Sequence, residues 1–278
     1  MDYENIITGE RVQQFANVYL GFPDDFNYNP VIRQQRDKHF DLQKLSDTFD
    51  NPYYVFCYTH RIDELSSKIH LFKNNFVLIT HNSHREVRNT PEVNLILNSP
   101  KLQRWYCQNM CFEHEKLFFV PIGFANSMWP HGNINVFKHT FFTYNLTTKT
   151  KSVYFNFDIN TNVLKRVEAL KTKVPWLPNV SPFENLIRLR QHAFCICPEG
   201  NGVDTHRLWE ALYVKTVPIV IDSEFTRILQ KHKVPLVVLD KWSDLVVSKL
   251  RYKDYNFNHP EFQKISHFLK LFSQKYFS

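Results

Sequence analysis

The chain has 278 residues, of which 43% are hydrophobic, 15% aromatic and 22% charged. This composition excludes disordered and collagen-like proteins and provides enough apolar residues for a core without disulfides. The formal net charge of +7 is uneven, because residues 1–143 (the first half) carry 14 basic and 15 acidic side chains, whereas residues 144–278 (the second half) carry 20 and 12. The second half is therefore expected to attract anions.

The lack of a recognisable targeting signal and the cysteine pattern predict a cytoplasmic protein without disulfides. No apolar run approaches the ~20 residues that a membrane-spanning helix requires. Residues 1–5 are acidic and lack the basic flank of a secretory signal. The 5 cysteines are an odd count, and their spacing fits neither a disulfide framework nor a zinc cage. We therefore expect a chain without a membrane span in a reducing compartment.

Short β-branched or aromatic runs alternate with helical patterns, which predicts an α/β fold around mostly parallel sheets. In the first half, strands are predicted at 53–58, 76–80 and 117–122, with a helix near 100–108. The polar segment 140–151 is the predicted boundary between two domains.

The second half is predicted to form a doubly wound domain. Its predicted strands are 152–157, 193–197, 217–221 and 235–239, and its predicted helices are 162–171, 183–191, 204–214, 224–231 and 242–250. In the first of these helices, apolar residues recur at helical spacing at Val163, Leu164, Val167 and Leu170. A further apolar stripe over 261–276 predicts a C-terminal helix.

The turn between strand 193–197 and helix 204–214 is the most informative segment. It contains Gly200 and Gly202, two of the 6 glycines, and leads directly into a helix N-terminus, a geometry that binds phosphate. Arg207 and Glu210 share one helical face, where a guanidinium suits phosphate oxygens and a carboxylate suits ribose hydroxyls. The alternative is a surface ion pair beside an ordinary turn, since neither the dinucleotide fingerprint nor the phosphate-loop motif is present.

The segment 194–220 resembles the C-terminal signature of exostosin-type glycosyltransferases. The resemblance rests on the Cys-Pro-x-Gly turn at 197–200, on Arg207-x-x-Glu210-Ala211 and on Thr-Val-Pro-Ile-Val at 216–220. Segments 78–83, 104–109 and 121–127 look like the N-terminal motifs of small soluble members from microbes and large DNA viruses, including xylosyltransferase-like proteins. The resemblance covers roughly residues 50–245 and is strongest in 194–220.

This resemblance implies a GT-B architecture, in which two Rossmann-like domains face each other across a cleft. The expected domains are an acceptor-side domain at 1–145, joined by a returning helix at 258–278, and a nucleotide-sugar donor domain at 150–257. The implied activity is transfer of a sugar from a nucleotide-diphosphate donor to a hydroxyl of a glycan, with inversion and without a metal or other cofactor. A UDP-sugar such as UDP-xylose is favoured, and the location would be host cytoplasm for a viral chain.

The donor site is expected at the glycine turn and the helix after it. Its predicted contacts are Pro198, Glu199, Gly200, Asn201, Gly202, Asp204, Thr205, His206, Arg207 and Glu210. Arg207, the helix N-terminus and His206 would stabilise the leaving diphosphate, and Glu210 would hold the ribose. Lys165 and Arg166 are second candidates for phosphate contact, with a solvated helix face as the alternative.

The catalytic base is expected after a strand of the first half, because a sugar hydroxyl needs a positioned base at neutral pH. His81 is the first choice, and the alternatives are His84, Glu86 and Asp63. Predicted acceptor contacts are Asn82, Asn126 and Trp129, and for Asn126 and Trp129 an ordered interdomain loop is the alternative. No Asp-x-Asp or His-Glu-x-x-His motif occurs, so no metal site is predicted.

Two other classes of function remain open. A non-catalytic nucleotide-sugar or glycan-binding protein would share the donor site. A nucleic-acid-binding protein would explain the basic second half, but it should show a known module or interleaved basic and aromatic residues, and neither stands out. Nucleic acid is therefore not an expected partner.

Overall fold

Two parallel sheets organise the computed structural model, which describes residues 5–45, 54–137 and 149–269. The first sheet contains β1 (Val18–Gly21), β2 (His39–Asp41), β3 (Tyr54–Tyr58), β4 (Phe76–His81), β5 (Leu102–Cys107) and β6 (Leu117–Phe119). The second contains β7 (Lys151–Tyr154), β8 (His192–Ile196), β9 (Val217–Ile221) and β10 (Val237–Leu239). All pairings within both sheets are parallel, which confirms the α/β prediction.

Apart from α1, which precedes β1, the helices connect the strands or follow them. They are α1 (Gly9–Gln14), α2 (Pro23–Asn27), α3 (Pro30–Arg33), α4 (Ile62–Lys68), α5 (Pro91–Leu97), α6 (Val163–Ala169), α7 (Pro182–Gln191), α8 (His206–Tyr213), α9 (Glu224–Lys231) and α10 (Pro260–Ser266).

The strand order of the first sheet reverses once. The order is β2-β1-β3-β4-β5-β6, so the chain moves outward from β1 to β2 and then returns to the other side of β1. Such a reversal leaves a crevice beyond the carboxyl ends of the two strands that flank it, here β1 and β3. The second sheet has the consecutive order β10-β9-β8-β7, without the reversal expected of a doubly wound domain.

Predicted and observed elements agree best where the hydrophobic pattern is strong. Strand β9 and helix α9 have the predicted bounds. The predicted helix near 100–108 is wrong, because this segment is β5, which lies between β4 and β6 and buries Trp105 completely. The predicted helix 242–250 is also wrong, because this segment forms two single 3₁₀ turns.

Helix α6 has the predicted location, but its apolar side chains face solvent. The buried residues of this helix are Arg166 and Ala169. The four apolar residues that predict the helix are all exposed, and they are Val163, Leu164, Val167 and Leu170. Helical spacing therefore identified the helix without identifying the side that packs.

The segment after the second sheet returns to the first sheet. Phe268, which follows α10, contacts Tyr106 of β5 with ring centroids 5.5 Å apart. The last part of the predicted helix 261–276 lies outside the described residues, as does most of the predicted boundary at 140–151. Within residues 5–45, 54–137 and 149–269, no helix has the length and apolar character needed to cross a bilayer.

Candidate active site between the two sheets

The larger of two adjoining cavities opens at the strand-order reversal of the first sheet. This cavity, called the histidine cavity, has a volume of about 540 Å³. Asp24 and Tyr28 reach it from the connection after β1, His60 from the end of β3 and His84 from the end of β4. It therefore occupies the crevice that the strand order creates.

The second cavity, called the arginine cavity, lies beyond the carboxyl end of β7 and has a volume of about 460 Å³. Arg166 of α6 and Arg207 of α8 line it together with Glu210. Phe157 and Leu186 contribute apolar wall. This volume and this mixture of apolar surface with a few charged groups are typical of small-molecule sites.

His206, the first residue of α8, lines both cavities. Its Nδ1 lies 2.9 Å from the carbonyl oxygen of Gly123. Because a carbonyl can only accept, Nδ1 carries the proton and Nε2 keeps its lone pair in the neutral ring. No hydrogen bond to Nε2 is present within the described ranges. Burial lowers the pKa of His206, so the ring is neutral at physiological pH.

Gly123 positions that carbonyl through a backbone conformation that favours glycine. Its φ is +67°, and a Cβ atom at this position would lie 2.2 Å from the carbonyl oxygen of Ile7. Any other residue would therefore both strain the backbone and collide with the neighbouring segment. The orientation of His206 depends on a glycine in the first half.

The buried Arg166 and the partly buried Arg207 repel each other across the arginine cavity. Arg207 Nε donates to Glu210 at 3.1 Å, and Arg207 Nη1 donates to the Asn156 carbonyl. Arg166 Nε donates to the Glu199 carbonyl at 3.0 Å. Burial, followed by the positive charge of Arg207, lowers the pKa of Arg166. An anion bound between the two guanidinium groups would relieve this repulsion.

Glu210 has an oxygen atom available for a ligand. Its Oε2 accepts from Arg207 at 3.1 Å and from Asn185 Nδ2 at 3.4 Å. No described residue donates to Oε1, although the residue is buried and lines the cavity. A carboxylate held in this way can accept hydrogen bonds from ligand hydroxyl groups.

The glycine turn does not line the arginine cavity, contrary to expectation. The predicted donor residues that line two smaller cavities, of about 260 and 270 Å³, are Lys165, Pro198, Glu199, Gly200, Asn201, Gly202 and Thr205. Lys165 pairs with Glu199 at 3.3 Å. A Cβ atom at Gly202 would lie 3.1 Å from Asn109 Oδ1, so this glycine permits close contact with the first half rather than approach of a diphosphate.

Asp204, another predicted donor contact, connects the two halves. It is 2% exposed, and its carboxylate accepts from the Ile122 amide at 2.6 Å and from Trp209 Nε1 at 2.7 Å. It lines neither the histidine nor the arginine cavity. Burial raises the pKa of Asp204 to about 7. Its position therefore favours a structural role over a donor contact.

Three of the four predicted bases are poorly placed. His81 is 1% exposed, its Nε2 donates to the Pro121 carbonyl at 3.0 Å, and burial lowers its pKa to about 4. Asp63 accepts two hydrogen bonds from Arg85, which lower the pKa of Asp63. Glu86 is hydrogen-bonded to Arg88 at 2.5 Å, and neither of these carboxylates lines the histidine cavity.

His84, the fourth predicted base, is exposed and lines the histidine cavity. Partial burial, followed by the charge of His60, lowers the pKa of His84. Its ring makes no hydrogen bond in the described part of the chain. His84 and His206 can therefore meet a ligand in this cavity, as can His60, whose Nε2 is hydrogen-bonded to Asp25 at 3.0 Å.

The amides of the predicted acceptor residues Asn82 and Asn126 are used within the protein. Asn126 Nδ2 donates to Asn82 Oδ1 at 3.0 Å, and Asn82 Nδ2 donates to Gln13 Oε1 at 3.0 Å. Asn126 Oδ1 accepts from the Glu10 amide at 2.9 Å. These residues hold the cavity wall together.

Trp129, the third predicted acceptor contact, forms an exposed aromatic pair with Tyr28 at the histidine cavity. The side chains are 40% and 55% exposed, and their ring centroids lie 5.7 Å apart in an edge-on arrangement. Exposed aromatic faces beside polar groups suit the apolar faces of sugar rings.

One buried carboxylate connects the two segments that carry this aromatic pair. Glu10 Oε1 accepts from the Ser127 amide at 3.1 Å, and Glu10 Oε2 accepts from Ser127 Oγ at 3.0 Å and from Asn29 Nδ2 at 3.1 Å. Ser127 lies two residues before Trp129, and Asn29 directly follows Tyr28. Glu10 therefore positions both aromatic residues.

Sequence reasoning missed several residues of the histidine cavity, among them Asp24, Tyr28, His60 and Gln108. Gln108 is 1% exposed and its Oε1 has no hydrogen-bond partner. Gln108 directly follows β5, which the sequence pattern predicted as part of a helix, so its place at the end of a strand could not be read from the sequence. Asp24 and Tyr28 depend on β1, which is too short to stand out in the sequence.

Within the described residues, no group of three or more His, Cys, Asp or Glu side chains is arranged to hold a metal ion. Comparison with models of known protein families and with curated proteins finds no match for this chain. The assignment of function therefore depends on the two cavities themselves.

Proposed function

We propose that this chain is a glycosyltransferase of GT-B architecture that transfers a sugar from a nucleotide-diphosphate donor, with a UDP-sugar favoured, to a hydroxyl group of a glycan. The observation that carries the proposal is the junction at His206. His206 lines both cavities. The arginine cavity contains Arg166, Arg207 and the carboxylate of Glu210, and the histidine cavity contains the aromatic pair of Tyr28 and Trp129 beside polar groups. The resemblance to exostosin-type enzymes agrees with this arrangement.

The donor would occupy the arginine cavity. Arg166 and Arg207 would bind the diphosphate, whose charge increases as the sugar leaves, and Glu210 Oε1 would accept from the ribose hydroxyls. Phe157 would contact the nucleobase of the donor. Electrostatic stabilisation by the two guanidinium groups assists departure of the leaving group in this scheme.

The acceptor would enter the histidine cavity against Trp129 and Tyr28. Its hydroxyl oxygen would attack the anomeric carbon opposite the diphosphate, and the hydroxyl proton would move to His206 Nε2. As the new carbon–oxygen bond forms, the bond to the diphosphate breaks and its electron pair leaves with the phosphate oxygen. The Nδ1 proton, held by Gly123, keeps Nε2 available as the base.

Ligand binding and donor hydrolysis test the proposal together. Thermal unfolding with UDP, GDP and their sugars should show selective stabilisation by one nucleotide. Release of that nucleotide from its sugar without an acceptor should then be measurable, and His206→Gln should lower its rate about 10²–10⁴-fold while donor affinity is retained. Binding without turnover would identify a non-catalytic nucleotide-sugar-binding protein, and no binding by any of these nucleotides would overturn the proposal.

A further inference from the structure

The exposed side of helix α6 is the most concentrated apolar surface of the described residues. The α6 face consists of Val163, Leu164, Val167, Leu170 and Trp176, and the exposed fraction of the Leu164 side chain reaches 86%. Isolated exposed apolar residues are ordinary on protein surfaces, but a cluster on one short segment marks an interaction site.

Trp176 lies beside α6 and is held firmly. Its ring contacts Phe155 and Phe157 with centroid distances of 5.1 and 5.0 Å. Phe157 in turn lies under the guanidinium group of Arg166, 5.3 Å from its ring centroid. Phe157 thus links Trp176 to α6, and Trp176 adds a further exposed aromatic side chain to the segment that carries the apolar residues of α6.

Several lysines lie on the same segment as this apolar face. Lys165, Lys171 and Lys173 are all exposed, and Glu168 is the single acidic residue of segment 163–176. Lys171 pairs with Glu168 at 2.5 Å, and the positive charge of the segment exceeds its negative charge. Apolar and tryptophan side chains surrounded by lysines are the composition of segments that lie on membrane surfaces.

We propose that the α6 face docks on an anionic lipid surface, with Leu164 and its apolar neighbours entering the headgroup region and the lysines contacting lipid phosphates and carboxylates. A second copy of this chain fits less well, because a symmetric contact would bring the same lysines together. The proposal is independent of the chemistry in the two cavities, and it concerns binding to a membrane surface and not crossing of the bilayer.

Sedimentation of the purified full chain with lipid vesicles tests this proposal. The protein should pellet with vesicles of phosphatidylcholine containing about one third phosphatidylserine, more weakly with phosphatidylcholine alone, and less as salt increases. Leu164→Glu should weaken binding to the mixed vesicles about tenfold, because it removes an apolar side chain from the inserted surface. Lys173→Gln should weaken it roughly fivefold.

Leu95→Glu is the matched control, since Leu95 is also a highly exposed helical leucine, 57% exposed on α5 in the first half. It should retain wild-type vesicle binding, and thermal unfolding should show that all three variants are folded. Absence of binding to the mixed vesicles, or equal binding by Leu164→Glu and wild type, would overturn the proposal. A concentration-dependent dimer that Leu164→Glu abolishes would also overturn it by assigning the face to a second copy.

Discussion

At the scale of single residues, the two guanidinium groups of the arginine cavity are each held through Nε and Nη1, but by different partners. Arg166 is bonded to backbone carbonyls of Glu199 and Asp158, whereas Arg207 is held by the carboxylate of Glu210 and by one carbonyl. Both are oriented before any ligand arrives. A prealigned pair of arginines loses little side-chain entropy when it binds a diphosphate.

We expect Arg207→Met to weaken UDP binding about 10- to 100-fold, because the variant loses charge-assisted hydrogen bonds to the diphosphate in a buried site. Isothermal titration calorimetry measures the change. Lys165→Met is the control, since Lys165 is exposed, pairs with Glu199 and does not line the arginine cavity. Equal losses in the two variants would argue against the arginine cavity as the donor site.

The lowered pKa of His206 predicts how donor hydrolysis depends on pH. A base must be unprotonated, and burial holds the pKa of His206 below its ordinary value of 6.5. The acidic limb of hydrolysis should therefore be centred below pH 6.5, at a lower pH than an ordinary imidazole base would give. The profile of kcat/KM against pH measures this limb, and His84→Gln should leave it unchanged. An acidic limb above pH 7 would contradict the assignment of His206 as the base.

At the scale of elements, α1 organises the aromatic pair without touching it. Its Glu10 reaches Asn29, at the start of α3, and Ser127 in the loop after β6. These bonds join three segments that the chain separates widely. The aromatic wall of the histidine cavity therefore depends on α1.

Glu10→Gln should lower the free energy of unfolding by about 1–3 kcal/mol, because an amide NH₂ would face at least one of the buried donors that the carboxylate now accepts. Urea denaturation measures the loss. Glu115→Gln, at an exposed glutamate of the first half, should leave stability unchanged. If both variants unfold like wild type, Glu10 does not hold the two segments together.

Sequence patterns predicted the elements of the second half better than those of the first. The strand β9 and helix α9 have long, regular hydrophobic patterns, so their bounds are confirmed. The segment containing β5 was misassigned because Gln103 and Arg104 are both exposed and Trp105, Tyr106 and Cys107 are all buried, which removes the alternation that identifies a strand.

The candidate site was only partly predictable for a related reason. Arg207 and Glu210 lie one helical turn apart, so local spacing brought them together. Tyr28 and Gln108 line the same cavity because β1 pairs with β3 as well as with β2. Such long-range strand pairing leaves no local pattern in the sequence. The sequence predicts His206 only as a donor contact. Its position between the two cavities depends on its contact with Gly123, which is far away in the sequence and leaves no local pattern.

At the scale of the whole molecule, Asp204 couples stability to pH. Burial raises the pKa of Asp204 from 3.8 to about 7, so the folded protein holds a proton that the unfolded chain releases between these values. Its contribution to stability is fully present below pH 3.8 and is lost as pH rises through 7. The loss amounts to about 2 kcal/mol of unfolding free energy between pH 5 and pH 8.

Asp204→Asn should remove this pH dependence, because an amide does not titrate. Urea denaturation of wild type and variant at pH 5 and pH 8 measures the difference, which should be larger at pH 5. Asp254→Asn, at an exposed aspartate, should follow the wild-type dependence. A constant difference between wild type and Asp204→Asn at both pH values would contradict the raised pKa.

The contacts of segment 122–124 also bear on how such a molecule changes during evolution. Ile122 donates to Asp204, Gly123 accepts from His206, and Phe124 bonds to Ile7, whose own amide donates to Tyr213 of α8. The imidazole at the cavity junction is thus oriented by residues from the other half of the chain. A recombinant that joins this second half to a foreign first half would inherit Arg166, Arg207 and Glu210 without an oriented His206. The two halves must therefore be inherited together, or exchanged with segment 122–124 and the residue at position 7 preserved.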